Sequence, residues 1–223
     1  MLTVHHLEDS RSQRVLWLLE ELGVPYEVRR YERNKETRMA PPELLQVHPL
    51  GKSPVVTDGE LTVAETGAIV EYLVDTYGQG RLRPAPGTPD FLRYRYWLHF
   101  AEGSAMPFLV MKLIFDRIAS AKLNFMIKPV ARGIANQVLG SFVMPNIRRQ
   151  LAFMEDELAA REWFAGAEFS AADVMMSFPL EAAAQRGGLD ASQPKLSAFL
   201  ERIHARPAYR RALERGGPYA FVK

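Results

Sequence analysis

The feature that most constrains the fold of this chain is a break at residues 78–89, where three glycines and three prolines fall within twelve residues. Neither a helix nor a strand tolerates that density of the two residues. Strand and helix patterns alternate before the break, and only helical patterns follow it. We therefore predict an α/β domain over residues 1–79, a linker over 80–89 and an all-helical domain over 90–223, a division that suits a chain of 223 residues.

The α/β domain is predicted to begin with a strand, a helix and a second strand. LTVHHL is short, apolar and followed by the polar loop EDSRS, while RVLWLLEELGV carries apolar residues at helical spacing and ends at Gly23. YEVRRY returns as a strand, and this order of elements favours parallel pairing. Asp58-Gly59 in PVVTDGELTV then predicts an antiparallel hairpin, and TGAIVEYLVDTYG predicts a helix that ends at Gly78.

Beyond the break, the segments are amphipathic or apolar at helical spacing, and no alternating strand pattern or internal repeat is present. The predicted helices lie near residues 90–120, 124–140, 144–161, 171–186 and 195–215. Ser170 and Asp173 in FSAADV have the spacing of a capping box, so we assign them a structural role.

Composition excludes several function classes. The net charge is +2 and like charges do not cluster, which disfavours a nucleic-acid binder. No apolar run reaches about eighteen residues and the N-terminus lacks a signal pattern, so we expect a cytoplasmic protein without a membrane partner. The chain has no cysteine, and its five histidines lack the spacing of metal ligands. We therefore expect no metal site, and any sulfur chemistry must use the sulfur of a substrate.

Ser10, Arg11 and Ser12 stand where the first strand meets the first helix. The N–H groups and dipole of a helix N-terminus favour an anion at such a position. A serine there is also a preferred helix cap, and this alternative stays open on local grounds.

Two further groups of residues could hold a ligand. In HPLGKSPVV, a cis Ser53–Pro54 bond would present the backbone of Ser53 to an extended peptide, although general frequencies favour a trans bond. In AETGAI, Glu65 could receive an ammonium group and Thr66, with the helix amides, a carboxylate. Helix capping alone would also explain both residues.

Taken together and in this order, SRSQRVLWLLEELGVPYE and APPELLQVHPLGKSPVVTDGELTVAETGAIVEYL resemble the glutathione transferases. The resemblance continues through WFAGAEFSAADVMMSFPLE and PKLSAFLERIHARPAYRRAL, so it spans nearly the whole chain. It implies an N-terminal thioredoxin-like domain followed by a C-terminal helical bundle. Within the family, the chain resembles a serine-type fungal and bacterial branch, although His48 stands where many members have asparagine.

The resemblance also implies roles for individual residues. Ser10 corresponds to the serine that hydrogen-bonds the glutathione sulfur, with Ser12 as its rival. Lys52 corresponds to a residue that reaches the glycyl carboxylate, and Ser53, before a cis proline, to the one whose backbone pairs with the cysteinyl part. Glu65 and Thr66 match the pair that grips the γ-glutamyl end.

The implied function is activation of the glutathione thiol for conjugation to hydrophobic electrophiles, with reduction of hydroperoxides as a side activity. Glutathione would be a co-substrate, with no cofactor, and the protein a homodimer. The alternative is a binding or regulatory protein that kept the fold and lost turnover. We expect adaptable apolar side chains early in the helical domain to receive the second substrate, and the candidates are Met106, Phe108, Met111 and Phe115.

Overall fold

The computed structural model describes residues 1–222, and its first part is built on a four-stranded sheet with the strand order β2-β1-β3-β4. The strands are β1 (Leu2–Leu7), β2 (Glu27–Tyr31), β3 (Val55–Asp58) and β4 (Leu61–Ala64). β1 pairs with β2 in parallel and with β3 antiparallel, and β3 and β4 form the hairpin. The strand directions predicted from the sequence are therefore confirmed.

Two α-helices accompany the sheet, α1 (Ser12–Leu22) and α2 (Thr66–Tyr77), with a short 3-10 helix at Pro42–Gln46. α1 ends at Gly23, whose φ of 69° is the left-handed conformation that glycine adopts readily. The helix is enclosed on every side, because even Arg14 is buried. Helices of the second part, Ala171–Ala182 and Pro207–Gly216 among them, cover the faces of α1 that the sheet does not.

The second part consists of helices, and most of them lie close to the segments predicted from the sequence. They are α3 (Pro89–Phe100), α4 (Met106–Ser120), α5 (Lys128–Val138), α6 (Met144–Ala160), α7 (Ala171–Ala182), α8 (Pro194–His204) and α9 (Pro207–Gly216). Short π-helical turns follow α3, α5 and α7 at Ala101–Ala105, Leu139–Val143 and Ala183–Gly187. The single segment predicted near 195–215 was wrong: it is two helices, because Pro207 cannot continue a helix and disfavours helical geometry at Arg206.

The stretch Pro89–Ser120 is one continuous helical run of 32 residues. Its most apolar window of eighteen residues has a mean hydropathy of 1.2, so by length and composition alone it could cross a membrane. Core helices of soluble proteins satisfy the same criterion. Inside this run, Trp97 stacks on Phe153 with ring centres 5.5 Å apart and meets Phe164 at 4.6 Å, which ties α3 to the rest of the helical part.

The helix α9 packs along α1 and is attached to it by ion pairs. Arg206 donates two hydrogen bonds to the carboxylate of Glu21, at 2.6 and 2.9 Å. Arg211 donates to Glu20 at 2.7 Å, and Arg215 lies 3.6 Å from the same carboxylate. The far end of the helical part is thereby fixed to the helix that begins beside Ser10.

The capping box predicted at the start of α7 is confirmed. Ser170 accepts from the N–H of Ala172, and Asp173 accepts from the N–H groups of Ser170 and Phe164 at 2.8 and 2.9 Å. Burial raises the pKa of Asp173 to about 6, against the effect of these donors. The pair is enclosed, which agrees with its structural assignment.

Candidate functional site

The turn between β1 and α1 holds a chain of hydrogen bonds that begins at Ser10. The Oγ atoms of Ser10 and Ser12 are 2.7 Å apart, and Ser12 Oγ is 2.8 Å from Nδ1 of His6. The ring of His6 also hydrogen-bonds the backbone of Gly216, at the end of α9. Burial, and after it the charge of Arg30, lowers the pKa of His6 to about 4. His6 is therefore neutral at physiological pH and available as an acceptor for Ser12.

The two serines differ in what their hydroxyl groups already do. Ser12 is fully enclosed, and its Oγ also accepts from the N–H of Leu7 at 3.2 Å. Ser10 keeps 5% of its surface exposed, and its Oγ accepts from the N–H of Ser12 at 3.2 Å. Ser10 thus accepts from the first N–H group of α1, but the N-cap position is Arg11, which makes no side-chain capping bond, so the capping alternative is not confirmed. Of the two, Ser10 is the less enclosed serine and the better candidate for a ligand contact.

Arg11, which the sequence indicated only as a neighbour of Ser10 and Ser12 in this turn, lines two of the cavities at the site. Its Nε lies 3.0 Å from the Glu102 carboxylate, which also pairs with the enclosed Arg14. Glu102 stands on the π-helical turn after α3, a type of distortion frequent at functional sites. Burial lowers the pKa of Arg11 and the charge of Glu102 opposes that effect, so the guanidinium is held beside a carboxylate in a partly buried position.

Four of the five predicted site residues line one small cavity. Lys52, Ser53, Glu65 and Thr66 surround a space of about 80 Å³, together with Arg11 and Glu102. An adjoining cavity of about 400 Å³ shares Arg11, Lys52 and Ser53 and extends to residues 39–42. Ser10, the fifth, precedes Arg11 in the sequence and does not itself line either cavity.

The loop that carries Ser53 is fixed to the central strand. Ser53 Oγ donates to the carbonyl of His5 at 2.7 Å and accepts from the N–H of Leu7 at 3.2 Å. The Ser53–Pro54 peptide bond is cis, as the family resemblance implies. These bonds hold Ser53 at the end of β1, beside the turn that bears Ser10.

Glu65 has a backbone conformation that is unusual for a residue with a side chain. Its φ is 72° and its ψ 122°, immediately before α2. Such a residue costs about 1–3 kcal/mol, and strain of this kind concentrates at ligand sites. Glu65 is exposed, and Thr66 behind it is buried as the first residue of α2. An acidic side chain and a helix N-terminus therefore face the same cavity.

A third cavity, of about 170 Å³, lies between the turn at Asp9–Arg11 and the helices α4 and α7. Of the four side chains proposed for a second substrate, Met106 lines it. Phe108 and Met111 pack against the main core instead, and Phe115 does not line the cavity. A larger cavity of about 540 Å³, between residues 80–90 and 165–170, contains none of the predicted site residues.

Comparison with known proteins identifies the family. Residues 1–75 match the N-terminal domain of glutathione S-transferases and residues 141–207 match the C-terminal domain. Glutathione S-transferase 3 of Schizosaccharomyces pombe is 36% identical over 216 residues, which cover 96% of this chain and 88% of the relative. The chain belongs to the glutathione S-transferase family. Members of this family use glutathione as a substrate.

Solved glutathione S-transferases share the whole architecture. One from Actinobacillus pleuropneumoniae is 31% identical with a TM-score of 0.77, and the match covers 99% of this chain and 95% of that one. A sphingomonad glutathione S-transferase, solved in complex with glutathione, is 26% identical with a TM-score of 0.74, over 96% and 98% of the two chains. The predicted fold class, a thioredoxin-like domain followed by a helical domain, is thereby confirmed.

Proposed function

We propose that this glutathione S-transferase binds glutathione along the Lys52–Thr66 cavity and the adjoining cavity of about 400 Å³, and conjugates it to hydrophobic electrophiles held in the third cavity. The observation that carries the proposal is that Arg11 lines all three cavities, so the two ligands would meet beside the Ser10 turn. Enclosed apolar spaces with a few convergent polar groups are typical ligand sites.

The groups around the first cavity complement the ends of glutathione. Lys52 would pair with the glycyl carboxylate, and the backbone of Ser53 with the cysteinyl part. Glu65 would accept from the γ-glutamyl ammonium, while Thr66 and the amides of α2 bind the neighbouring carboxylate. This arrangement directs the sulfur toward the start of α1.

Ionisation of the sulfur is the chemical task. A thiol with a pKa near 8.5 is only a few per cent thiolate at neutral pH. Lowering that pKa by roughly two units corresponds to about 2.7 kcal/mol. A charge-assisted hydrogen bond from Ser10, together with the N-terminus of α1, is of the required size.

For Ser10 to donate to the sulfur, its hydroxyl must turn away from Ser12, now 2.7 Å distant. Replacing the hydrogen bond to Ser12 by one to the sulfur is favourable, because a thiolate is a charged acceptor and the Ser12 hydroxyl a neutral one. Arg11 adds a positive charge on the same side. The thiolate then attacks the electrophilic carbon, forming the carbon–sulfur bond as the leaving group departs with its electron pair.

Ser10→Ala tests this assignment, with Ser12→Ala as the matched control. The Ser10 variant is expected to move the pH midpoint of turnover upward by about 1–2 units, the equivalent of one charge-assisted hydrogen bond, with glutathione affinity nearly unchanged. Ser12→Ala should mainly lower the free energy of unfolding, since Ser12 is enclosed. An unchanged pH profile for Ser10→Ala would refute the role of Ser10.

Peroxide reduction would use the same thiolate: two glutathiones yield the disulfide, and the hydroperoxide becomes an alcohol and water. One observation favours the alternative of a binding protein without turnover, namely that the Ser10 hydroxyl already bonds the hydroxyl and the N–H of Ser12. Retention on glutathione-agarose, followed by assays with a generic aryl halide and a hydroperoxide, distinguishes the three functions. Retention without either turnover would support the binding protein.

The proposal also includes a cytoplasmic location and a homodimer. Each subunit would consist of a domain at 1–79, a linker at 80–89 and a domain at 90–223. The support for these statements is the resemblance to the family rather than a contact within the chain. Sedimentation equilibrium tests the assembly, and a monomeric mass at micromolar concentration would contradict it.

A further inference from the structure

The third cavity has an apolar wall suited to a flat ring. Its volume is about 170 Å³, whereas a core cavity of about 150 Å³ takes up benzene. Apolar side chains from α4, α7 and the segment after α9 form the wall: Met106, Leu109, Val110, Leu113, Phe178 and Phe221. The space therefore suits one aromatic ring with small substituents.

The rim of the same cavity is cationic. Its charged side chains are Arg11, Arg33, Lys112 and Arg186, with Asp9 as the only carboxylate among the lining residues. Asp9 is already occupied on both oxygens, since it accepts from Arg38 at 3.1 Å and from the N–H of Ala220 at 2.8 Å. A ligand entering the cavity therefore meets an excess of positive charge.

Two of these cations make no direct ion pair within the described residues, although the charges of Asp9 and Glu8 act on Arg33. Arg33 donates its side-chain hydrogen bonds to the main-chain carbonyls of Glu8, Asp9 and Arg38. Arg186 is exposed and lies over the ring of Phe221 at 5.0 Å. Among residues 1–222, neither has a carboxylate oxygen within 4.0 Å in an ion pair.

The other two cations are paired, and their partners lie away from the apolar wall. Lys112 contacts Asp116 at 2.7 Å on the next turn of α4, and Arg11 contacts Glu102. A guanidinium without a carboxylate is the group that proteins use for planar anions such as carboxylates. The guanidinium groups of Arg33 and Arg186, neither in an ion pair, therefore line the cavity, with Arg186 beside Phe221.

We propose that the second substrate is a single-ring aromatic electrophile that bears an anionic group, such as a carboxylate or sulfonate. The ring occupies the apolar wall, the anion faces Arg186 and Arg33, and the electrophilic carbon points to Arg11 and the sulfur. This inference rests on the proposed function, because it names the substrate class of that site. With an aryl chloride, the thiolate forms the carbon–sulfur bond and chloride leaves with the electron pair.

Turnover of a matched pair of probes tests the substrate class. 4-Chloro-3-nitrobenzoate carries the anion, and 4-chloro-3-nitrobenzamide has nearly the same shape without it. Each kcat/KM is divided by the rate constant of the uncatalysed reaction with glutathione, which removes the difference in ring reactivity. The benzoate should be favoured by about tenfold or more, as expected for a charge-assisted hydrogen bond.

Arg186→Gln should reduce this preference by about tenfold if one charge-assisted contact is lost. Arg149→Gln is the matched control, since Arg149 is an exposed arginine on α6 that does not line the cavity, and it should keep the preference. An equal loss in both variants would mean that the net charge of the protein, and not the cavity, selects the anion, and would overturn the proposal.

Binding of unreactive analogues separates this inference from the proposed function. 4-Methyl-3-nitrobenzoate and its amide are titrated calorimetrically into the protein saturated with S-methylglutathione. Tighter binding of the benzoate than of the amide supports the inference, even if neither of the two aryl chlorides is turned over. Absence of turnover would refute only the proposed conjugation. Equal or tighter binding of the amide, or turnover that favours the benzamide, overturns the inference.

Discussion

Acidification should destabilise this protein through His6, and the substitution His6→Asn should remove that sensitivity. His6 is 2% exposed, and its pKa falls from 6.5 to about 4 on folding, chiefly because burial disfavours the charged ring. Between these two values the unfolded chain binds a proton that the folded protein does not. The free energy of unfolding therefore falls as the pH falls through this window.

The size of the effect follows from the two pKa values. At pH 7 the ring is mostly neutral in both states, whereas at pH 5 it is charged in the unfolded chain and neutral in the fold. The folded state should therefore lose about 2 kcal/mol of stability between pH 7 and pH 5 on account of His6 alone. Other groups contribute to the total, so the informative quantity is the difference between wild type and variant.

Guanidinium chloride unfolding at pH 7 and at pH 5, followed by the fluorescence of the three tryptophans, measures this difference. In His6→Asn, the side-chain oxygen lies near the position of Nδ1 and can accept from Ser12. The lost ring volume lowers stability equally at both pH values and cancels. His99→Asn, an exposed histidine on α3, is the matched control. If His6→Asn lost as much stability on acidification as the wild type, the reasoning about His6 would be wrong.

Two further substitutions test the site. Glu65→Gln should raise the KM for glutathione about tenfold and nearly retain kcat, because it removes a charge-assisted contact. Steady-state kinetics at varied glutathione concentration measure both constants. An unchanged KM would contradict the contact between Glu65 and the ammonium group. Glu102→Gln should lower the free energy of unfolding by about 2 kcal/mol, because it leaves the enclosed Arg14 without its carboxylate. It should also lower kcat/KM, because Arg11 loses the carboxylate that holds it in place. Denaturation and kinetics measured on the same preparation check both effects, and full activity would exclude a positioning role for Glu102.

Local chemistry in the sequence was sufficient to predict much of the fold. The turn at Asp58-Gly59 and the alternation around it determine the hairpin without reference to the rest of the chain. The capping box at Ser170 and Asp173 is likewise a signal within four residues. The site residues Lys52, Ser53, Glu65 and Thr66 were found because two short segments carry them, and they do line one cavity.

What the sequence did not reveal depends on contacts between distant segments. Arg11 resembles any charged residue at the start of a helix, and only its approach to Glu102 places it inside the site. The face of α4 that lines the third cavity could not be chosen, because apolar residues occur all around that helix. The enclosure of α1 was not readable either, because its buried residues include the polar Gln13 and Arg14.

The attachment of α9 to α1 has a consequence for how the protein is made. Arg211 and Glu20 pair across 191 residues of sequence. Translation at about 5–20 residues per second separates their synthesis by roughly 10–40 s. During that interval the nascent α1 exposes the surface that α9 will cover, with Glu20 and Glu21 lacking their arginines. The first domain to leave the ribosome is therefore among the last to be completed, because part of the surface of α1 stays uncovered until α9 has emerged.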